Sequence, residues 1–128
     1  MQFSECACSG KNLTRQVRPA VLAILAGGEE HGYLIVQHLA ELRLFGDNET
    51  PDPSGVYRVL KQMETEGLVT SSWDTDGSGP ARRLFALTEA GTACLTHWIS
   101  TLEEYVAGLQ ELIGMMRQAT QHGEGGNA

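Results

Sequence analysis

Five side chains in the middle of this 128-residue chain are strong hydrogen-bond donors, spaced to suit an anionic polymer: Arg58, Lys61 and Gln62 close together, then Arg82 and Arg83 side by side. Guanidinium, ammonium and carboxamide groups bond phosphate oxygens and the acceptor edges of bases in a nucleic-acid groove. Ser54 and Tyr57 precede them on the same segment and add hydroxyls. Other combinations carry less chemistry. Cys6 and Cys8 offer two thiols for metal or redox sensing, but structural zinc uses four ligands at wider spacing and no second pair exists. The plainer reading is an N-terminal arm with incidental cysteines, so no metal site is assigned. His31, His38 and His97 share no ligand spacing; His31 is expected in the loop entering a helix and His38 on a core face. Asp47, Glu49 and Asp52 crowd one loop without the calcium-loop pattern. No nucleophile–base–orienter set and no Gly-rich phosphate loop is visible, so neither an enzyme nor a cofactor is expected.

The bulk composition bounds the rest. At 41 % hydrophobic and 20 % charged, the chain is of the soluble globular class and long enough for one core. No apolar run approaches the roughly 18 residues of a membrane span. The first residues lack the basic and apolar regions of a signal peptide. Three cysteines, an odd count, suggest reduced thiols and a cytoplasmic protein. The net charge of −7 opposes nucleic-acid binding unless the bases are segregated, because affinity comes from Lys and Arg meeting phosphates. Acidic residues gather at Glu29-Glu30, from Asp47 to Asp52 and at Glu103, Glu104 and Glu111, away from the central bases. A polarised molecule that grips DNA with one face is the expectation.

The elements that must position the donors follow from periodicity. Leu13 to Leu25 is helical in pattern, and Pro19 implies either a start near Arg18 or a kink. Tyr33 to Leu42 is a second helix. A third starts behind Pro53 with Ser54 as its expected N-cap, buries Val56, Leu60 and Met63, and stops at Gly67. Arg58, Lys61, Gln62 and Thr65 are left facing outward, with Tyr57 partly inward. Leu68–Trp73 and Arg82–Leu87 read as a hairpin around a Gly/Ser/Pro turn, with Arg82 and Arg83 near its tip. Thr88 caps a last helix from about Glu89 to about Gln118. In it Leu95, Leu102, Leu109 and Met116 recur at sevens, with Trp98 or Ile99, Tyr105 or Val106, and Leu112 or Ile113 between them. A helix of roughly 30 residues spans about 45 Å, too long for so small a domain to cover. A homodimer through this seam is expected. The fold class is therefore mainly α with a small β-hairpin: a winged helix-turn-helix plus a long C-terminal dimerisation helix. The expected division is a flexible arm over 1–11, a winged-helix DNA-binding domain over 12–88, the dimerisation helix over 89–118 and a flexible tail over 119–128.

Three segments, in order, resemble PadR-type transcriptional regulators: AVLAILAGGEEHGYLIVQHLAEL, PSGVYRVLKQMETEGLVTSSW and GPARRLFALTEAG. The single C-terminal helix is similar to the family's shorter subtype, in which that helix dimerises. The resemblance implies a dimeric repressor on a near-palindromic operator, with the third helix in the major groove and the wing on backbone or minor groove. Tyr57 matches the family's recognition-helix tyrosine, while Arg58 stands where many members carry proline. The wing departs too: Gly79-Pro80-Ala81-Arg82-Arg83 replaces a common Gly-Arg-Pro-Arg run. In some relatives a tryptophan of the dimerising helix lines an apolar pore for flat aromatic molecules. That implies a small aromatic or hydrophobic effector at Trp98, with Cys94, Ile99 and Leu102 as pocket wall; simple interface packing is the alternative. The acidic balance supports a different class, a winged-helix module that binds protein. A metal or redox sensor using Cys6 and Cys8 is a further alternative.

Overall fold

The computed structural model describes residues 16–45, 51–77 and 79–126, with side chains as far as 121. The elements run α1 (Val17–Ala26), β1 (Glu30–His31), α2 (Gly32–Glu41), α3 (Pro53–Thr65), β2 (Val69–Asp74), β3 (Arg82–Leu87) and α4 (Glu89–Gly126). They form two compact units, the first ending at Leu95 and the second starting at Thr96. The first is a winged helix, three helices closed by a small antiparallel sheet.

Helix α1 resolves the proline question. Pro19 lies in its first turn, where the missing N–H would have had no intrahelical partner, so the helix is not kinked there. Gly28, at φ 137°, turns the chain into β1, a strand too short to leave a periodic signal in the sequence. Strand β1 pairs with β3 (Glu30 opposite Phe85, His31 opposite Leu84), and the sheet order is β1-β3-β2. The expected hairpin is thus the outer part of a three-stranded sheet.

The N-cap of helix α3 lies two residues earlier than expected. Asp52, not Ser54, is the N-cap: its Oδ1 accepts from the Gly55 N–H at 3.1 Å. Pro53 is pre-set for the first helical position and moves the cap to the residue before it. Gly55 leaves the carboxylate its space, since a Cβ there would stand 2.6 Å from Asp52 Oδ1. The other end is a Schellman closure, with Leu68 N–H on the Met63 carbonyl, Gly67 N–H on that of Glu64, and Gly67 at φ 80°.

The core is Val21, Leu22 and Leu25 of α1, Ile35 and Leu39 of α2, Val56, Leu60 and Met63 of α3, and Val69 and Phe85 of the sheet, with Phe45 beside them. His38 does not join it. Ile35 and Leu39 complete the buried stripe of α2, and the His38 ring stands at its edge, 44 % exposed, with Glu30 at 3.5 Å and Glu41 at 3.9 Å.

Thr88 joins the sheet to α4. Its hydroxyl donates to the Gly67 carbonyl (2.6 Å), its oxygen accepts from Gly91 N–H (3.0 Å), and its own N–H reaches the Leu68 carbonyl (3.1 Å). Gly91 is buried there, and a Cβ would fall on the Leu68 carbonyl oxygen and within 2.6 Å of the Leu87 side chain. Beyond this junction α4 continues to Gly126, about 57 Å at 1.5 Å per residue. Residues 119 to 126, expected as a flexible tail, continue the helix. No proline interrupts that stretch, so the backbone ladder propagates past the last apolar heptad.

One substitution should have opposite effects at two helical glycines. Gly91→Ala should destabilise the winged unit by about 1–3 kcal/mol through overpacking, despite alanine's better helix propensity. Gly114→Ala, in open space on α4, should raise helix stability by about 0.5–1 kcal/mol. Chemical and thermal denaturation followed by circular dichroism measure both.

Candidate nucleic-acid interface

The buried stripe Val56–Leu60–Met63 determines what α3 shows to solvent. Ser54, Tyr57, Arg58, Lys61, Gln62 and Thr65 are all exposed. Tyr57 divides its surface: it is 40 % exposed, yet its ring lies so close over Gly32 that a Cβ there would meet Cε1 at 2.5 Å and the hydroxyl at 2.8 Å. The ring is half packing, half presented. Arg58, Lys61, Gln62 and Thr65 border a shallow depression whose far rim is Arg18 and Glu66, joined as an ion pair between α1 and the end of α3. Arg58 and Lys61 have no ion pair among the described residues.

The wing supplies two guanidiniums, and strand alternation sends them to opposite faces. In the register, Trp73 faces Arg83 and Asp74 faces Arg82, so Ser71, Trp73, Arg83 and Phe85 share one face while Asp74, Arg82 and Leu84 share the other. Arg83 stands beside α3: its Nε–H donates to Ser71 Oγ at 3.1 Å, its NH2 reaches Glu64 Oε1 at 3.5 Å, and it lies 5.1 Å over the Trp73 ring. Tyr57, Lys61, Glu64, Arg83 and Phe85 line a groove between α3 and β3. On the reverse face Arg82 donates to the Tyr33 hydroxyl at 2.9 Å and lies 5.0 Å over that ring. Tyr33 stacks on His31 at 5.6 Å, and His31 Nε2 meets Asp74 Oδ2 at 2.8 Å. The structure therefore places Lys61 on both the depression it shares with Arg58 and the groove it shares with Arg83, and assigns Arg82 to a clasp that ties the wing to β1. Glu64, Ser71, Tyr33 and Trp73 were missed in the sequence. Only the Lys61–Glu64 spacing on α3 and strict alternation in the hairpin would have pointed to them.

Along α4, Cys94, Leu95, Trp98 and Leu102 are half-buried. Ile99, Tyr105, Val106, Leu109, Leu112, Ile113 and Met116 are 39–57 % exposed, an apolar series of unusual length for a solvated helix. Among the described residues no group of three or more His, Cys, Asp or Glu is arranged to hold a metal ion, and no helix is long and apolar enough to cross a membrane. Cys6 and Cys8 lie outside the described residues, as do Asp47 and Glu49.

A three-helix core with a hairpin wing and exposed donors on its third helix defines a winged-helix regulator, and comparison with known proteins specifies the family. Residues 21–97 match the model of the transcriptional regulator PadR-like family. The chain belongs to that family, whose members are regulators of transcription rather than enzymes. It is 28 % identical over 98 residues to the transcriptional regulator YqjI of Escherichia coli, covering 77 % of this chain and 42 % of that protein. It is also 28 % identical over 85 residues to the negative transcriptional regulator PadR of Bacillus subtilis, covering 66 % of this chain and 46 % of that one. The chain thus spans less than half the length of these relatives. A crystal structure of the Bacillus subtilis PadR with operator DNA superposes with a TM-score of 0.58 at 28 % identity, over 67 % of this chain and 48 % of that one. A PadR family regulator from Clostridium difficile shares the fold at a TM-score of 0.67 and 22 % identity, over 77 % and 98 % of the two chains.

The wing clasp should respond to acid. The His31 ring, then the Asp76 N–H at 3.1 Å, hold the Asp74 carboxyl below its ordinary range. A depressed carboxylate contributes stability above its unfolded pKa and loses it as pH falls through the lower folded value. The stability difference between wild type and Asp74→Asn should therefore be fully present at neutral pH and shrink below about pH 4. Thermal denaturation across that range tests it.

Proposed function

We propose that this chain is a DNA-binding transcriptional repressor that works as a homodimer in the cytoplasm. The observation that carries this reading is the outward face of α3, where Arg58, Lys61 and Gln62 stand clear of the core and Arg83 of the wing shares a groove with Lys61. In this reading α3 enters the major groove. Arg58, Lys61 and Gln62 reach base edges or phosphates, Ser54 and Tyr57 add hydroxyl contacts at the groove wall, and Arg83 meets backbone. Arg82 approaches the duplex from the other side of the wing. The relative solved with operator DNA, and named a negative regulator, supports both the DNA partner and the sign of regulation.

The second unit supplies the pairing. Leu95, Leu102, Leu109 and Met116, with Trp98, Ile99, Tyr105, Val106, Leu112 and Ile113, form the seam against a second copy, which would present two α3 helices to a two-fold operator. We place relief by a small aromatic or hydrophobic effector at Trp98, Cys94 and Leu102, where effector binding would change how the two winged units are held.

Two measurements test this. Binding to duplex DNA from the chain's own upstream region should weaken steeply as salt rises, and Arg58→Ala with Arg83→Ala should abolish it at physiological salt, since each contact contributes about 1–3 kcal/mol. No binding of the wild type at low salt would favour the protein-interaction module that a net charge of −7 otherwise suits. Separately, Leu109→Glu should convert the dimer to monomer in sedimentation analysis and leave the thermal unfolding of the winged unit unchanged. Persistent dimer would remove α4 as the interface.

A further inference from the structure

Among the described residues that line the groove between α3 and the wing, Glu64 is the one whose charge opposes the proposed ligand. Its carboxylate does two things there. Oε1 faces the Arg83 guanidinium at 3.5 Å, and Oε2 accepts the Ser71 hydroxyl, whose oxygen in turn accepts from Arg83 Nε–H at 3.1 Å. Both partners are half in solvent, with 42 % of the Arg83 side chain and 32 % of the Glu64 side chain exposed. A phosphate oxygen and a carboxylate oxygen are alternative acceptors for a guanidinium N–H, so the two compete for the Arg83 NH2 that Glu64 Oε1 faces. Ion pairs this exposed are weak, which makes exchange from carboxylate to phosphate easy and reversible.

We infer that Glu64 is an affinity-setting residue: it holds Arg83 as an internal stand-in for phosphate, and DNA must displace it to engage the wing. This rests on the DNA-binding reading above. Three features of the site converge on it. Arg83 is already oriented toward α3 by Ser71 and by the Trp73 ring, so releasing it from Glu64 leaves it aimed at the groove rather than free in solvent. Lys61, one turn before Glu64 on α3, lines the same groove, so a phosphate seated there would meet two cations once the carboxylate withdraws. Glu64 itself repels that phosphate while it remains. In a chain this acidic, a cation occupied by its own carboxylate adds nothing to the count of neutralised phosphates, and that count determines the salt dependence.

The test is a mutant cycle on the full chain. Glu64→Gln keeps the size of the side chain and an acceptor for Ser71, and its thermal midpoint confirms folding. Fluorescence anisotropy with the same upstream duplex, across salt, compares wild type, Glu64→Gln, Arg83→Ala and the double variant. Glu64→Gln should bind about fivefold tighter per protomer at low salt, with a log–log salt slope steeper by about one per protomer. The gain should shrink in the Arg83→Ala background to the smaller part that loss of the Glu64 repulsion supplies by itself. Equal or weaker binding by Glu64→Gln overturns the inference, as does an equal gain without Arg83, which would be a general charge effect. Failure of the wild type to bind at all would instead overturn the DNA-binding reading, and this inference with it. A readout without DNA separates the two: the Arg83 Nε–H resonance, assigned by its loss in Arg83→Ala, should shift in Glu64→Gln. An unmoved resonance overturns the pairing itself.

Discussion

The burial of one stripe of α3 is the constraint from which the rest follows. Val56, Leu60 and Met63 have no solvent exposure, and they pack where α1, α2 and the sheet converge. At 3.6 residues per turn, a helix with that stripe fully inside has no freedom over its other faces. Arg58, Lys61, Gln62 and Thr65 must point outward. The closure of the helix at Met63, Glu64 and Gly67 then sets where the wing begins, and Thr88 fastens the turn after α3 to the start of α4. Core packing thereby orients every donor on the candidate interface.

Charge is distributed with the same economy of means. A net charge of −7 would repel a polyanion if spread evenly. Here the cations are handled one at a time. Arg58 and Lys61 stand exposed on α3, Arg18 is tied to Glu66, and Arg83 is tied to Glu64. Arg82 is turned to the reverse face of the wing, where Tyr33, His31 and Asp74 fasten the hairpin to β1. The positive surface is thus narrow, and part of it is masked by neighbouring carboxylates. On the proposed DNA-binding reading, such an arrangement suits weak sampling of DNA and firm binding only where many contacts form together.

The long helix answers a different constraint. A helix of 38 residues that exposes Ile99, Tyr105, Val106, Leu109, Leu112, Ile113 and Met116 cannot be explained by the core of a single small unit. Its apolar series is left exposed, whereas the stripe of α3 is buried in folding. The two features lie in separate units: the first holds the packed core and the second carries the exposed apolar series.

The amino-acid sequence by itself determined the elements with strong local periodicity and the residues that punctuate them. The stripes of α1, α2 and α3, the two wing strands, the Thr88 cap and the heptads of α4 were all legible, because apolar spacing and capping chemistry act over a few residues. The outward face of α3 followed from its inward one. Only the tertiary structure decided what depends on distant pairing. Strand β1 exists through β3, and a two-residue bridge leaves no pattern of its own. The cap at Asp52 rather than Ser54 depended on which residue stood extended before Pro53. His38 stayed outside because Ile35 and Leu39 had already closed the core. Adjacent in sequence, Arg82 and Arg83 part company in space, since the pleat sends successive side chains to opposite faces and each guanidinium then finds its partner from another element. Local chemistry chose the donors, and long-range contacts chose which of them stand together.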